Sequence, residues 1–336
     1  PGMGFDEWAI GLNFFDNDPY LSHNGTVKQH TGKGSVVLMD EALSFIRKHR
    51  DSEAPIFTVI WFPSPHYPHA EVPEDPDLYS GEKHAGYFRE ITLLDEQLGR
   101  LRNELRKLDM AENTILWYCS DNGGLVEATS GGRAKKGSIY EGGLRVPSVV
   151  EWPAGQLHGQ STLPASTSDL MPTLLTMAGI DVDFDHKLEG VDVSKVFRGQ
   201  MVMRPEPIGF WHHFEPGQST WSDRILKVIM EKQAAGLPEP YDPPRMLKNV
   251  YDLPEYPEDT TKGHAVWLDW PWKLHRIDGS KYELYNLVDD PMEQEDLSQD
   301  RGHSRRVEEM REELAEWQRS VIRSLNGQDY TSTGKE

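Results

Sequence analysis

Two short apolar runs, residues 55–62 and 114–119, stand on either side of a long stretch with helical periodicity, and this alternation restricts the fold more than any other feature. Pro55-Ile56-Phe57-Thr58-Val59-Ile60-Trp61-Phe62 and Thr114-Ile115-Leu116-Trp117-Tyr118-Cys119 are continuous, β-branched and aromatic. That is the pattern of strands buried on both faces of a parallel sheet. Residues 34–50 place Leu38, Ala42, Phe45 and Ile46 at helical spacing, with Lys and Arg at the carboxyl end. Residues 84–108 carry Phe88, Ile91, Leu94, Leu98, Leu101, Leu105 and Leu108 on one stripe. A shorter strand is predicted over 146–152. A helix follows from about 168 to 178, with Pro172 in its first turn and Gly179 stopping it. Helix–strand–helix–strand order predicts an α/β fold with a mainly parallel sheet.

After about residue 199 the texture changes. Residues 236–257 are rich in proline, too irregular for a helix or a central strand. Residues 272–277 and 282–287 read as strands joined by the turn dipeptide Asp278-Gly279. A final helix over 303–325 places Val307, Met310, Leu314, Trp317 and Val321 on one stripe. The expected organisation is therefore an α/β domain over 1–200 and a small α+β subdomain over 201–336. The net charge of −20 argues against nucleic acid as a partner, because a phosphate backbone needs a basic face. Apolar runs no longer than a strand predict no membrane span. The single cysteine, Cys119, excludes an intrachain disulfide and any multi-cysteine metal site, and a core thiol is its expected role. The sequon Asn24-Gly25-Thr26 is better read as a chance occurrence than as a glycosylation site.

Three loops carry the chemistry. Ser64-Pro65-His66-Tyr67-Pro68-His69 follows the first strand, and Ser120-Asp121-Asn122-Gly123-Gly124 follows the second. Ligands of open α/β sheets lie beyond the carboxyl ends of the strands, so both loops are expected to reach one crevice. Asp121 and Asn122 offer a carboxylate and an amide carbonyl, hard oxygen donors suited to Ca²⁺ or Mg²⁺ rather than Zn²⁺. Taken alone, each loop also reads as an ordinary turn. From Arg133 to Arg145, four cations (Arg133, Lys135, Lys136, Arg145) face one acid, Glu141, inside an acidic chain. A local positive pocket of that kind suits an anionic substrate group. No residue is an obvious nucleophile.

In this order and spacing the chain resembles the formylglycine-dependent sulfatases of the alkaline-phosphatase superfamily over nearly its whole length. Gly4-Phe5-Asp6-Glu7-Trp8 resembles the stretch that follows their Gly-Lys-x-His-Leu-Gly motif. The loops at 64–69 and 120–124 are similar to their histidine and metal loops. Residues 133–143 are similar to the lysine loop, with Ala134 where glycine is usual. Residues 169–180 and 188–191 resemble the family's next segment. Trp272-Lys273-Leu274, residues 283–287, Asp290-Pro291 and Glu293 resemble its carboxyl-terminal hairpin.

The resemblance implies an alkaline-phosphatase-like sheet sandwiched by helices and a sulfuric ester hydrolase. Asp121 and Asn122 would ligate a Ca²⁺, with Mg²⁺ as the alternative. His66 and Lys136 would contact the sulfate ester, one of them protonating the leaving oxygen. The implied nucleophile is a formylglycine made from the Cys or Ser of a Cys/Ser-x-Pro-x-Arg motif. That motif is absent here, as are the leading Asp-Asp ligands, so the chain is expected to be the carboxyl-terminal part of a sulfatase and by itself to turn over little. Implied substrates are sulfated carbohydrates or aryl sulfates. Arg133 and His212 are candidate substrate contacts. His213 and the cluster Trp267, Trp270 and Trp272 are read as either crevice rim or core, and residues 236–257 as a substrate wall. The implied compartment is periplasmic or extracellular, or lysosomal in a eukaryote. Two rivals stand beside this reading: a metal-dependent phosphoesterase of the same superfamily, and a non-catalytic binding module.

Overall fold

The computed structural model describes residues 4–12, 17–69, 77–155, 157, 159–183, 188–212, 222–238 and 256–329. In chain order the helices are α1 (Gly34–His49), α2 (Ala85–Lys107), α3 (Glu141–Leu144), α4 (Leu170–Ala178), α5 (Ser222–Ala234) and α6 (Ser304–Leu325). The strands are β1 (Ala9–Ile10), β2 (Tyr20–His23), β3 (Thr26–Gln29), β4 (Leu116–Cys119), β5 (Ser148–Glu151), β6 (Ile208–His212), β7 (His264–Asp269), β8 (Trp272–Ile277) and β9 (Lys281–Asn286). They fall in two compact units, Pro1–Asn113 with Gly217–Tyr251, and Thr114–Pro216 with Asp252–Glu336.

In the first unit α1 packs on α2, with part of each predicted stripe buried: Ala42 and Ile46 of α1 and Leu94, Leu101 and Leu105 of α2, whereas Leu38 and Phe45 are only partly buried and Ile91 is exposed. Val37, Met39, Leu43 and Ile46 of α1 and Leu93, Leu94, Leu101 and Leu105 of α2 are buried. Arg47 of α1 bonds Glu104 of α2 at 2.6 Å outside that core. The antiparallel meander β1-β2-β3 was not legible in the sequence. Its β2–β3 turn is Asn24-Gly25, both with positive φ (49° and 94°), as a two-residue hairpin turn requires. Asn24 is also tied to Trp8, whose backbone N–H donates to Asn24 Oδ1 at 2.8 Å. Helix α5, likewise unpredicted, lies on β2 and β3. Val27 N–H donates to Gln233 Oε1 and Gln233 Nε2 donates to the Gly25 carbonyl, both at 2.9 Å.

The second unit holds the ribbon β4–β5 and the antiparallel sheet β6-β7-β8-β9. Asp278 and Gly279 turn β8 into β9 with positive φ at both residues, as the sequence predicts. Helix α6 covers this sheet. Met310 of α6 packs with Leu274 and Leu284, and Trp267 and Trp272 close over the cluster. Trp270 packs on the neighbouring cluster of Ile208, Leu268, Tyr285 and Leu287. The three tryptophans thus take the packing alternative of the sequence reading. Helix α4 ends at Gly179 in the left-handed conformation (φ 67°). Asp169, at its start, is fully buried and takes a two-pronged bond from Arg204 at 2.7 and 2.8 Å.

Two strand expectations need correction. Every ladder among the described residues is antiparallel, including β4 with β5. Residues 55–62 are extended but pair with no strand among the described residues, and Phe57, Val59 and Trp61 stand exposed (62%, 41% and 77%). An apolar run states that a segment prefers burial; it does not supply the partner strand. For the same reason β4 is half-buried rather than enclosed, and Val149 beside it on β5 is exposed.

Candidate active site

Asp121, Asn122, Arg133, Lys136 and His212 lie in the second unit, and His66 lies in the first. Within the second unit the two predicted loops are joined backbone to backbone. Gly123 N–H donates to the Gly143 carbonyl at 2.8 Å, and Lys136 N–H donates to the Gly124 carbonyl at 3.0 Å. Such contact demands glycine. A Cβ on Gly123 would lie 2.0 Å from the Gly142 carbonyl oxygen, and one on Gly142 would lie 2.2 Å from the Ala134 carbonyl oxygen. Ala134 itself is left-handed (φ 64°), a conformation that costs an alanine about 1 kcal/mol, which accounts for glycine being usual there.

The donor ends of this loop pair are set by local bonds. Ser120 Oγ donates to the Asn122 carbonyl at 2.9 Å, and Asn122 Nδ2 donates to the Gly123 carbonyl at 3.2 Å. With its nitrogen so engaged, Asn122 presents Oδ1 as an acceptor. The Asp121 carboxylate is exposed and the Lys136 ammonium half-exposed. Neither has a hydrogen-bond or salt-bridge partner among the described residues. Two oxygen donors without competing protein cations fit part of the oxygen shell that Ca²⁺ or Mg²⁺ takes. Cys119, two residues before Asp121, has its thiol pushed up by burial and by the Asp121 carboxylate, so it is an inert packing group.

Arg133 has a different task from an open anion contact. Its guanidinium donates to Tyr285 Oη and to the Glu293 carbonyl, each at 3.0 Å, and lies 3.9 Å from the centre of the Tyr140 ring. It thereby ties the lysine loop to a buried polar network. Lys273 and His275 of β8 and Glu293 are all fully buried. Lys273 Nζ bonds Glu141 at 2.7 Å and Glu293 at 2.9 Å. Glu293 also accepts from His275 Nε2 at 2.7 Å and from the Glu141 backbone N–H at 2.6 Å. His275 Nδ1 then accepts from His264 Nε2 at 2.9 Å. Tyr140 and Tyr285 both donate to Glu283, at 2.7 and 2.9 Å. Tyr140 and Glu141, four and five residues after Lys136, are thus held by Lys273 of β8, Glu283 of β9 and Glu293.

Burial and the bonds just described shift the acidities of this network in keeping with this proton order. Burial holds His275 well below its ordinary range, and burial holds His264 down to about 4. For Glu283 burial pulls upward, but the bonds from Tyr140, Lys281 and Tyr285 outweigh it and bring it to about 2. A histidine depressed in the folded chain takes up protons first when unfolded. Its stabilising contribution is therefore complete above about pH 6.5 and is lost as pH falls toward 4. Thermal melts of the second unit should lose on the order of 1–2 kcal/mol across that window, after allowance for the solvent around His264. The contribution of Glu283 changes only below about pH 4.5, so the two effects separate. A midpoint flat between pH 7 and 4.5 would contradict the assignment.

In the first unit His66 is held by its own loop. Ser64-Pro65 and Tyr67-Pro68 on either side are cis. His66 N–H donates to the Pro63 carbonyl at 3.1 Å, and the ring Nδ1 donates to the Tyr67 carbonyl at 2.6 Å. A carbonyl only accepts, so the neutral ring carries its proton on Nδ1 and exchanges protons at Nε2. Ser64 anchors the loop, bonding Glu90 of α2 and accepting from Ser35 of α1 at 3.0 Å. His212 is exposed at the end of β6, across the ladder from His264. His213 and residues 239–255 of the proline-rich stretch lie outside the described residues.

Comparisons with known proteins identify the family and the fold. The Sulfatase family model matches residues 1–180. The chain is 25% identical over 229 residues to an ulvan-active sulfatase of Formosa agariphila, covering 61% of this chain and 43% of that protein. Among solved structures, Ps i-CgsB in complex with k-i-k-neocarrahexaose superposes with a TM-score of 0.69 at 22% identity, covering 93% of this chain and 65% of that one. A protein in complex with its substrate D-glucosamine-2-N,6-O-disulfate gives 0.65 at 15% identity, covering 99% and 78%. These neighbours share the alkaline-phosphatase-like α/β fold expected from the sequence. The chain spans about two-fifths of the length of the ulvan-active relative.

Proposed function

Because this chain belongs to the sulfatase family, we propose that it supplies the metal-binding and anion-binding residues of a sulfuric ester hydrolase acting on a sulfated carbohydrate or an aryl sulfate. The observation that carries this reading is the splice between the two loops, Gly123 to Gly143 and Lys136 to Gly124. It fixes an oxygen-donor pair and an uncommitted ammonium on one small scaffold, which a turn needed only for chain reversal does not require. Asp121 and Asn122 Oδ1 hold Ca²⁺, or Mg²⁺, together with ligands from elsewhere. When bound, that ion adds positive charge where the sulfuryl oxygens gain negative charge. Lys136 stabilises the same charge. One of His66 and Lys136 delivers the proton to the leaving oxygen; the Nδ1–Tyr67 bond suits His66 to do so from Nε2. Arg133, still 42% exposed while bonded, and His212 are further substrate contacts.

The family's formylglycine motif is not present in the 336 residues, so the chain alone is expected to show no enzyme-like turnover of an aryl sulfate. Sulfated sugars are favoured as substrates because the relatives and neighbours named above include an ulvan-active sulfatase and a disulfated glucosamine complex. Calorimetry tests the binding half directly. Asp121→Ala should weaken Ca²⁺ binding at least tenfold, and Lys136→Ala should weaken sulfate binding at saturating Ca²⁺ by about tenfold, the equivalent of ~1.4 kcal/mol. Wild-type affinities in both variants would defeat the proposal. Two zinc or manganese ions per chain would instead favour the phosphoesterase rival.

A further inference from the structure

In the first unit, two histidines and a glutamate meet in a way that none of the roles above uses. His23 ends β2 and His30 follows β3. Hairpin pairing and the bond from His30 N–H to the Pro19 carbonyl at 2.9 Å bring the two rings side by side. Their Nε2 atoms are 2.8 Å apart and the ring centres 5.0 Å apart. Glu41, on α1, faces both rings from the other edge. Its carboxylate oxygens lie 3.5 Å from His23 Nδ1 and 3.8 Å from His30 Nδ1. One donor atom from each residue falls within a 4.8 Å sphere of mutual distances.

Protons alone serve this arrangement poorly. With both rings neutral there are two ring protons for three facing contacts. One fills the Nε2···Nε2 gap and one reaches Glu41, which leaves a ring lone pair aimed at a carboxylate oxygen. Adding a third proton satisfies the geometry but sets an imidazolium against a second ring in a site where both rings are only about one-fifth exposed. A divalent cation removes the conflict, since it accepts lone pairs from both imidazoles and the carboxylate together. We propose that His23, His30 and Glu41 form a zinc site, with water completing a four-coordinate shell. Two imidazole nitrogens and one carboxylate oxygen are a recognised zinc donor set, and the nitrogen ligands disfavour Ca²⁺ and Mg²⁺. Zinc–nitrogen bonds of about 2.0–2.1 Å in a tetrahedron put ligand nitrogens about 3.4 Å apart, so with the two Nε2 atoms as ligands the rings part slightly and the Glu41 carboxylate turns from the Nδ1 atoms toward the ion. All three side chains keep 20–32% of their surface exposed, which gives a metal access. Bound there, the ion fastens the β2–β3 hairpin to α1.

The test uses the full chain, stripped with chelator and titrated with ZnCl₂ by calorimetry in excess CaCl₂, which occupies oxygen-donor sites. One zinc equivalent is expected. It should be lost in His23→Ala with His30→Ala and weakened at least tenfold in Glu41→Gln. Zinc should also raise the thermal midpoint of the wild type but not of the variants. Should the double variant fail to fold, Co²⁺ added to the wild type decides: intense visible bands of a tetrahedral ion support the site. No zinc equivalent, an equivalent undiminished in Glu41→Gln, or only the faint spectrum of octahedral cobalt would overturn it.

Discussion

Glu293→Ala should unfold the second unit about 3–5 kcal/mol more easily than the wild type, the usual cost of leaving one side of a buried ion pair uncompensated. Glu293 has no exposed surface and serves three donors at once: Lys273, His275 and the backbone of Glu141. Its removal strands an ammonium with Glu141 alone, leaves His275 Nε2–H without an acceptor, and frees the turn that begins α3. Urea denaturation followed by tryptophan fluorescence reads this loss, because Trp267 and Trp272 lie over the same sheet. A double variant clarifies the mechanism. Glu293→Gln with Lys273→Met removes both charges together and should recover much of the stability, since the cost lies in the unpaired partner. If Glu293→Ala alone shifts the midpoint by less than 1 kcal/mol, the network is decorative and the lysine loop is held by something else.

The second large effect concerns the loop splice. Gly123→Ala would bring a methyl group to 2.0 Å from one backbone oxygen and 2.8 Å from the Cα of Gly143. Neither neighbour is the flexible end of a side chain, so the two loops must separate. The cost expected for such overpacking is about 1–3 kcal/mol of stability. Ca²⁺ binding should suffer further, because Asn122 is displaced with its neighbour. Gly137→Ala is the informative control. That glycine has positive φ (88°) with nothing within 4 Å of a Cβ, so alanine there strains only the backbone. Equal losses of Ca²⁺ affinity in the two variants would mean that the contact between the loops does not position Asp121 and Asn122.

Helices α1, α2, α4 and α6 were legible within a residue or two, because an amphipathic stripe is a local signal that packing then uses. The β8–β9 hairpin was legible for the same reason: Asp278-Gly279 carries the turn in its own φ preference. Residues 55–62 misled because apolar content reports a tendency and not a partner. The three candidate loops announced themselves by residue type, but the contact between the two that lie in the second unit did not. Gly123 and Gly143 look like ordinary turn glycines until the backbone-to-backbone distance is known. Lys273 and Glu293 stood out by resemblance, but their burial with His275 was not legible, because charge in a sequence reads as surface. Their burial depends on pairing between segments about twenty residues apart. His23, His30 and Glu41 match no spacing rule, since a hairpin and a helix, rather than one element, bring them together.

The unpaired stretch at 55–62 has a consequence for handling. Its backbone N–H and C=O groups, flanked by bare Phe57, Val59 and Trp61, offer a ready edge for another extended chain. Mutual repulsion between molecules of charge −20 opposes that encounter, yet this repulsion reaches only about 8 Å at physiological ionic strength. Colloidal stability therefore belongs to the buffer as much as to the polypeptide, and dilute electrolyte is the medium in which it stays dispersed.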